Sequence, residues 1–202
     1  MSKIVFFDFD GTITQRDTLI PFVIKSLGFK GVVLTCAIAI FVILAKLKVL
    51  NAGRVKEKYL NWCFRGFAKE KLDRLAESYA TEFSHSLFNM SALELISSFK
   101  AQNFVCVVVT ASPSFYVEKV IKEFGFDTVI GTNLDFNEQG IFEGSFIGRN
   151  CNGQEKVRRI LNEYDLKDFD IVYAYGNSSG DIPMLRLADE AFMREGNKWL
   201  KH

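Results

Sequence analysis

Two carboxylates two residues apart close the first apolar run of this chain, Val5-Phe6-Phe7-Asp8-Phe9-Asp10-Gly11-Thr12-Ile13-Thr14. Residues two apart on a strand share a face, so Asp8 and Asp10 are expected side by side at a strand end, with Gly11 breaking the strand after them. Two like charges so placed destabilise each other unless a cation or a proton lies between them. A hard divalent ion such as Mg²⁺, which takes oxygen ligands and commonly keeps waters, would resolve the conflict. Taken alone, the pair also reads as a solvated Asp-rich turn.

Three further places carry groups that could join this chemistry. Thr110 ends a second apolar run, 104–109, and is followed by Ala111-Ser112-Pro113. Ser112 as cap and Pro113 as first helical residue predict a helix from about 113 to 124, closed by Gly125. The free N–H groups of Ala111 and Ser112 would then face a helix N-terminus, an arrangement that binds phosphate. Lys156 falls in the first turn of a helix that Asn152-Gly153-Gln154-Glu155 would open as a capping box. A cation there opposes the helix dipole. It reads either as a solvated lysine or as a group that reaches a phosphate and Asp8 and offsets their charge. Asn177 and Asp181 follow a third buried run, 171–175, in Gly176-Asn177-Ser178-Ser179-Gly180-Asp181-Ile182-Pro183-Met184-Leu185.

The elements that must position these groups alternate in kind. Apolar strands near 4–7, 104–109, 128–131, 171–175 and 191–194, mostly joined by helices, describe an α/β fold with a parallel sheet. Asp8, Thr110 and Asn177 all follow strand C-termini, where open sheets of this kind place ligands. Segments 133–137 and 141–147 alternate around Glu138-Gln139-Gly140 and predict a hairpin. Ser91-Ala92-Leu93-Glu94 reads as a capping box that opens a helix to about Ala101. Residues 15–88 form a helical insert between the first strand and the rest. Its first helix starts at Asp17-Thr18-Leu19-Ile20-Pro21 and stops at Gly28. Residues 54–66 and 69–84 read as two more helices, with Trp62, Phe64, Phe67, Leu72, Leu75, Tyr79 and Phe83 as core-facing residues.

The hardest stretch is 31–45, fifteen residues without a charge, followed by Lys46 and Lys48. A spanning helix needs about 20 apolar residues. The expectation is a buried or self-associating helix, ahead of a membrane-surface helix and a true span.

Composition sets the class. Apolar residues make up 49% and aromatics 14% of 202 residues, enough for a substantial core and against disorder. A net charge of +1 gives no reason to expect nucleic acid as a partner. Residues 15–88 nevertheless carry 12 Lys/Arg against 6 Asp/Glu, which suits an anionic substrate or surface. Four cysteines, none in CxxC spacing, read as free buried thiols in a reducing cytosol. Two histidines make a histidine metal site or a Ser-His-Asp triad improbable. The N-terminal residues are strand-like with no basic-then-apolar signal segment, so the expected location is cytoplasmic, with room for membrane association through the insert.

The run ending in DFDGT resembles the first motif of the haloacid dehalogenase (HAD) superfamily of phosphoryl-transfer enzymes. Thr110, Lys156 and the Gly176–Leu185 segment resemble its second, third and fourth motifs, in that order. The resemblance is to subfamily IB, the phosphoserine phosphatase-like and phosphatidylglycerophosphatase C-like branch. It implies a Rossmann-like parallel sheet with helices on both faces, a core of residues 1–14 and 89–202, and an all-helical cap of residues 15–88. It implies Asp8 as nucleophile, Asp10 as general acid/base and Lys156 as charge neutraliser. Thr110 and Ala111 would hold substrate phosphate, and Asp17 the substrate's remainder. Mg²⁺ would be held by Asp8, Asp10 (through its carbonyl), Asn177 and Asp181. One departure stands out: the first position of the fourth motif is ordinarily acidic and here is Asn177, which supplies no charge. In phosphoserine phosphatases a Glu occupies the position of Asp17, and Arg16-Asp17-Thr18-Leu19-Ile20-Pro21-Phe22 is more similar to the phosphatidylglycerophosphatase C branch. The implied activity is Mg²⁺-dependent phosphomonoester hydrolysis, on a phospholipid-type or other small organic phosphate. Two alternatives stay open: a phosphoserine phosphatase, or a weakly active or inactive phosphate-binding module that uses its cap for partners.

Overall fold

The computed structural model describes residues 2–47, 49–196 and 198–202, with side chains throughout except those of Lys46 and 83–86. The core role expected of Phe83 and the positions of the Lys46 and Lys48 side chains lie outside the described residues. Strand β1 (Lys3–Phe7) is central, and from Ile4 onward it is fully buried. Such a strand must be covered on both faces, and its residues divide accordingly. Val5 and Phe7 join a core shared with the inserted helices, while Ile4 and Phe6 join a second core on the other face.

After β1 come α1 (Leu19–Leu27), α2 (Phe29–Lys46), α3 (Ala52–Phe64), α4 (Lys69–Leu87) and α5 (Met90–Ala101). Then follow β2 (Val105–Pro113), α6 (Ser114–Ile121), β3 (Thr128–Thr132), and the antiparallel pair β4 (Leu134–Phe136) and β5 (Phe142–Phe146). The chain closes with α7 (Gln154–Glu163), β6 (Ile171–Gly176), the single-turn α8 (Ile182–Leu185), β7 (Glu190–Glu195) and β8 (Lys198–Lys201). The main sheet has the order β3-β2-β1-β6-β7-β8, parallel except for β8. The chain runs outward from β1 through β2 to β3, then crosses back to β6. The reversal falls between β1 and β6, and a crevice opens at the strand C-termini at such a point.

The inserted helices leave and rejoin this sheet through one antiparallel crossing. Gln15 N donates to Leu87 O at 2.8 Å, and Asn89 N to Ile13 O at 3.0 Å. The β4–β5 pair reaches back to the insert, with Phe142 N donating to Phe67 O and Gly66 N to Phe142 O. Phe64, Leu72 and Tyr79 are buried as expected, whereas Trp62 lies at the surface, edge-on to Phe41 and beneath Lys58.

Several local expectations need correction. The strand β2 runs through Pro113, so the following helix begins at Ser114 and ends at Ile121 with a 3₁₀ turn to Phe124. Asn89, not Ser91, caps α5, because its side chain accepts from Ser91 N at 3.1 Å. Helix α7 opens at Gly153 in a positive-φ conformation with no side-chain cap. Glu155, freed from a capping box, pairs with Arg158 and Arg159 instead. After β7, residues Lys198–Lys201 add a strand not expected from the sequence, β8, as an antiparallel edge strand on β7. Of the cysteines, Cys63, Cys106 and Cys151 are buried and free, while Cys36 is free and exposed.

Of the alternatives expected for α2, burial within the chain is not met. Of its described residues only Gly31 and Ile38 are fully buried. Gly31 lets α2 approach α1 closely, since a Cβ there would lie 2.7 Å from Val23 O. The opposite face is open. No described helix is long and apolar enough to cross a membrane.

Candidate active site

The nucleophile-like pair sits where the sequence expects it, but the two side chains diverge. Asp8 follows β1 directly, its N–H still in the sheet and donating to Tyr175 O at 2.9 Å. Residues 9–13 then make one wide turn, closed by Thr14 N donating to Phe9 O at 3.0 Å. Gly11 has φ +78°, and a Cβ on it would lie 2.2 Å from the Asn177 amide. Glycine is required there twice over, by conformation and by the close approach. The turn aims Asp8 at the sheet and Asp10 at the insert.

Lys156 is the hub. It is 1% exposed, and its ammonium donates to Asp8 Oδ1, Asp181 Oδ1 and Val109 O, each at 2.7 Å. All three protons of the ammonium are thereby used. A buried cation of this kind persists only with paired charge and satisfied donors. Burial alone would lower its pKa, but the two carboxylates outweigh burial and hold it raised.

The two carboxylates on Lys156 differ. Asp181 also accepts from Ser178 N, Ser178 Oγ and Asn177 N at 2.9, 2.7 and 3.2 Å. Against the pull of burial, Lys156 and these donors keep its pKa low. Asp8 has Lys156 and the Thr12 hydroxyl, at 2.9 Å. Burial, reinforced by Asp181 and Asp10, pushes it up to about 6 in spite of Lys156. Asp181 is therefore the better-compensated carboxylate of the two, and Asp8 the less compensated one.

Asp10 is held separately. Oδ1 accepts from Thr18 N at 2.8 Å and Thr18 Oγ1 at 2.7 Å, and Oδ2 accepts from Ser112 Oγ at 2.5 Å. Burial and the neighbouring Asp17 raise its pKa. Asp17 is exposed on the lip of a 410 Å³ hollow that Asp10, Gly11, Asn177 and Arg194 also line, and its Oδ1 accepts from Leu19 N.

Thr110 is buried within β2, three residues short of its end rather than after it as expected, and its hydroxyl accepts from Ser112 N at 3.0 Å. The Ser112 N–H is therefore not free, and no helix begins there to present it. Ala111 contributes its carbonyl, which accepts from Thr132 Oγ1 at 2.9 Å and from Lys56 Nζ at 3.0 Å.

For a metal, two oxygens converge: Asp8 Oδ2 and Asn177 Oδ1 both meet the Thr12 hydroxyl, at 2.9 and 3.2 Å. Together with the surplus charge on Asp8, this donor set fits a hard cation, although the described residues hold no group of three or more His, Cys, Asp or Glu suited to one. The Asp10 carboxylate is turned to Thr18 and Ser112, and both Asp181 oxygens are taken.

Several contributors escaped the sequence reading. Lys56 of α3 is half-buried against the Ala111 carbonyl, and burial depresses its pKa although Asp10 and Asp17 lie nearby. Arg194 of β7 donates to the carbonyls of Gly11, Thr12 and Thr14 at 2.8, 3.3 and 2.9 Å and so pins the turn. Thr12, Thr18 and Ser112 supply hydroxyls. The net positive charge of the insert hinted at Lys56. Nothing local marked Arg194.

A doubly wound α/β sheet with a buried carboxylate–lysine centre at its reversal point is the architecture of an α/β enzyme with its site at the strand C-termini. Residues 5–186 match the family described as haloacid dehalogenase-like hydrolase, and the chain belongs to that family. It is 33% identical over 191 residues to Protein CicA of Caulobacter vibrioides, an alignment covering 93% of this chain and 83% of that protein. In fold it is similar to a protein of unknown function from Bordetella pertussis, with TM-score 0.81, 19% identity, and coverage of 95% and 89% of the two chains. It is also similar to a phospho-aspartyl intermediate analogue of phosphoserine phosphatase, with TM-score 0.67, 19% identity, and coverage of 94% and 85%.

Proposed function

We propose that this hydrolase is a Mg²⁺-dependent phosphomonoester phosphatase of subfamily IB that forms an aspartyl-phosphate on Asp8. Residues 15–88 act as a cap over a core of residues 1–14 and 89–202. The observation that carries this reading is the Lys156 ammonium, equidistant from Asp8 and Asp181 in a buried site. It keeps one carboxylate fixed and leaves the other, Asp8, available to a new electrophile.

In the first step an Asp8 oxygen bonds to phosphorus and the ester P–O bond breaks. Asp10, whose raised pKa favours the protonated form, gives its proton to the departing alkoxide. In the second step Asp10 takes a proton from water, which attacks phosphorus and releases Asp8. Thr18 and Ser112 aim Asp10 throughout, and Lys156 offsets the charge gathered on the phosphoryl oxygens. Thr110 positions them. Asp8, Asn177 and the Asp10 carbonyl would hold Mg²⁺, which when bound neutralises phosphoryl charge as a Lewis acid. Asp181 acts through Lys156 and the Asn177 backbone rather than as a ligand.

The substrate is a phospholipid-type or other small organic phosphate. Lys56 brings a cation from the cap toward Asp10 and Asp17, on the side where the leaving alcohol would lie, which suits an alcohol that itself carries negative charge. The basic cap fits such a substrate at a membrane surface. The test is Mg²⁺-dependent turnover of an aryl phosphate, expected for the parent and at background for a folded Asp8→Asn variant. Comparable rates for the two would exclude the mechanism. A panel of phosphoserine, glycerophosphates and short-chain phosphatidylglycerophosphate tests the substrate; fast, selective phosphoserine turnover would overturn the lipid-type assignment.

A further inference from the structure

Helix α2 is apolar all round, yet only one side of it is covered. Its buried stripe is centred on Gly31 and Ile38. At 100° per residue, Phe29, Val32, Val33, Cys36, Ile40 and Ile43 fall together on the opposite side, and all six are exposed. Phe29 is 83% exposed, Ile40 57% and Ile43 53%. The strip continues past the helix through Leu47 and Val49, at 67% and 66%. A helix apolar on every side is ordinarily buried in protein or lipid, and a contiguous exposed patch marks an interaction surface.

The charges around it select the occupant. Between Thr18 and Lys56 the chain has no Asp or Glu but has Lys25, Lys30, Lys46, Lys48, Arg54 and Lys56. Lys25 is paired with Glu82 of α4. Lys30 is exposed at the start of α2, and Arg54 in the first turn of α3. A second copy docked face to face would set the exposed Lys30 and Arg54 against their own equivalents, and residues 18–56 supply no carboxylate to meet them. An anionic lipid surface offers hydrocarbon to the strip and phosphate to the rim. We propose that the outward face of α2 docks on an anionic phospholipid bilayer, with the helix lying along the boundary between headgroups and acyl chains.

The placement suits the rest of the molecule. The strip runs directly into Asn51, Gly53 and Arg54, which line a 900 Å³ cleft shared with Arg149, Asn152 and Arg158 across the β5–α7 side. Docking would therefore bring the rim of that cleft to headgroup level. This deepens the lipid-phosphate reading by naming the surface that holds the enzyme there, and it stands on α2 alone.

The experiment is co-sedimentation of the full chain with vesicles of phosphatidylcholine, with and without about one third phosphatidylglycerol. Wild type is expected to bind the anionic vesicles and to weaken as salt rises. An Ile40→Glu/Ile43→Glu variant is expected to lose about tenfold or more in vesicle affinity, with aryl phosphate turnover within about twofold of wild type. Absence of wild-type binding to anionic vesicles would overturn the proposal, as would equal binding by the variant. A wild-type dimer that the variant converts to monomer, neither form binding vesicles, would overturn it in favour of a second copy. Sedimentation needs no turnover, so a failed phosphatase assay beside intact vesicle binding would sink the reaction and leave the docking surface standing.

Discussion

The strand-end cluster and the outer face of α2 depart from the ordinary rule of burial in opposite directions. At the cluster, charged groups are inside: Lys156, Asp181 and Asp8 are all buried. On α2, apolar groups are outside. The cluster is stable because every proton of Lys156 and both oxygens of Asp181 have partners at 2.7 to 3.2 Å. The helix face has no partner among the described residues. The first departure is resolved within the fold, and the second is resolved only by something outside it. Both mark places where stability alone does not account for the residues present.

The sharpest way to break the comparison is to remove the hub. Lys156→Met keeps length and volume but leaves Asp8 and Asp181 buried without their shared cation. Breaking a buried pair in this way costs about 3–5 kcal/mol, read by denaturant unfolding. Turnover is expected to fall by about 10² to 10³ as well. Unchanged unfolding would mean that the two carboxylates do not depend on Lys156, and the account of the cluster would fail.

Much of this was legible beforehand, for identifiable reasons. Asp8 and Asn177 follow strands with strong local signals, so their placement at one rim could be read from topology, whereas the reach of Lys156 to Asp8 followed only from the family resemblance. The capping boxes failed because neighbouring residues within four positions offered better partners. Asn89 outcompeted Ser91 at one helix start, and Arg158 and Arg159 claimed Glu155 at the other. The Pro113 helix failed because β2 pairs with β3 as far as Pro113, opposite Thr132. Sheet pairing there overrode a local helix signal. Lys56 was only hinted at by the charge of the insert and Arg194 was not visible at all, because each reaches the site across the fold, Arg194 over a separation of 183 residues to Gly11. The exposure of α2 was hidden in its composition, since an apolar run looks the same whether one side or both are covered.

The next effect is smaller and lies beside the cluster. Glu155 accepts from Arg158 Nε and Nη2 and from Arg159 Nε at 2.9, 2.5 and 2.9 Å. Those hydrogen bonds, Arg158 first, outweigh burial and hold its pKa near about 2, below the usual 4.5. A carboxylate with a depressed folded pKa contributes stability that is fully present above the unfolded pKa. That contribution is lost as pH falls from about 4.5 to about 2. Arg158 is exposed and screened by solvent, so the contribution is held below about 1 kcal/mol. Glu155→Gln should lose no more than that amount at pH 7, and its stability should fall less steeply than wild type on acidification. Parallel acid limbs would show that this pair contributes nothing.

The smallest expected effect sharpens the contrast most. If the outer face of α2 is unpartnered within the chain, replacing Ile40 and Ile43 with Glu should change unfolding stability by no more than about 0.5 kcal/mol. Ile38 lies two residues away on the same helix, but it is 2% exposed on the covered side. Ile38→Ala should cost about 2–4 kcal/mol. A large loss from the outward pair would mean that this face packs against the protein in solution, and the two departures from burial would then share one explanation. A negligible loss, beside a large one from Ile38, assigns the outward isoleucines to a surface the fold itself does not use.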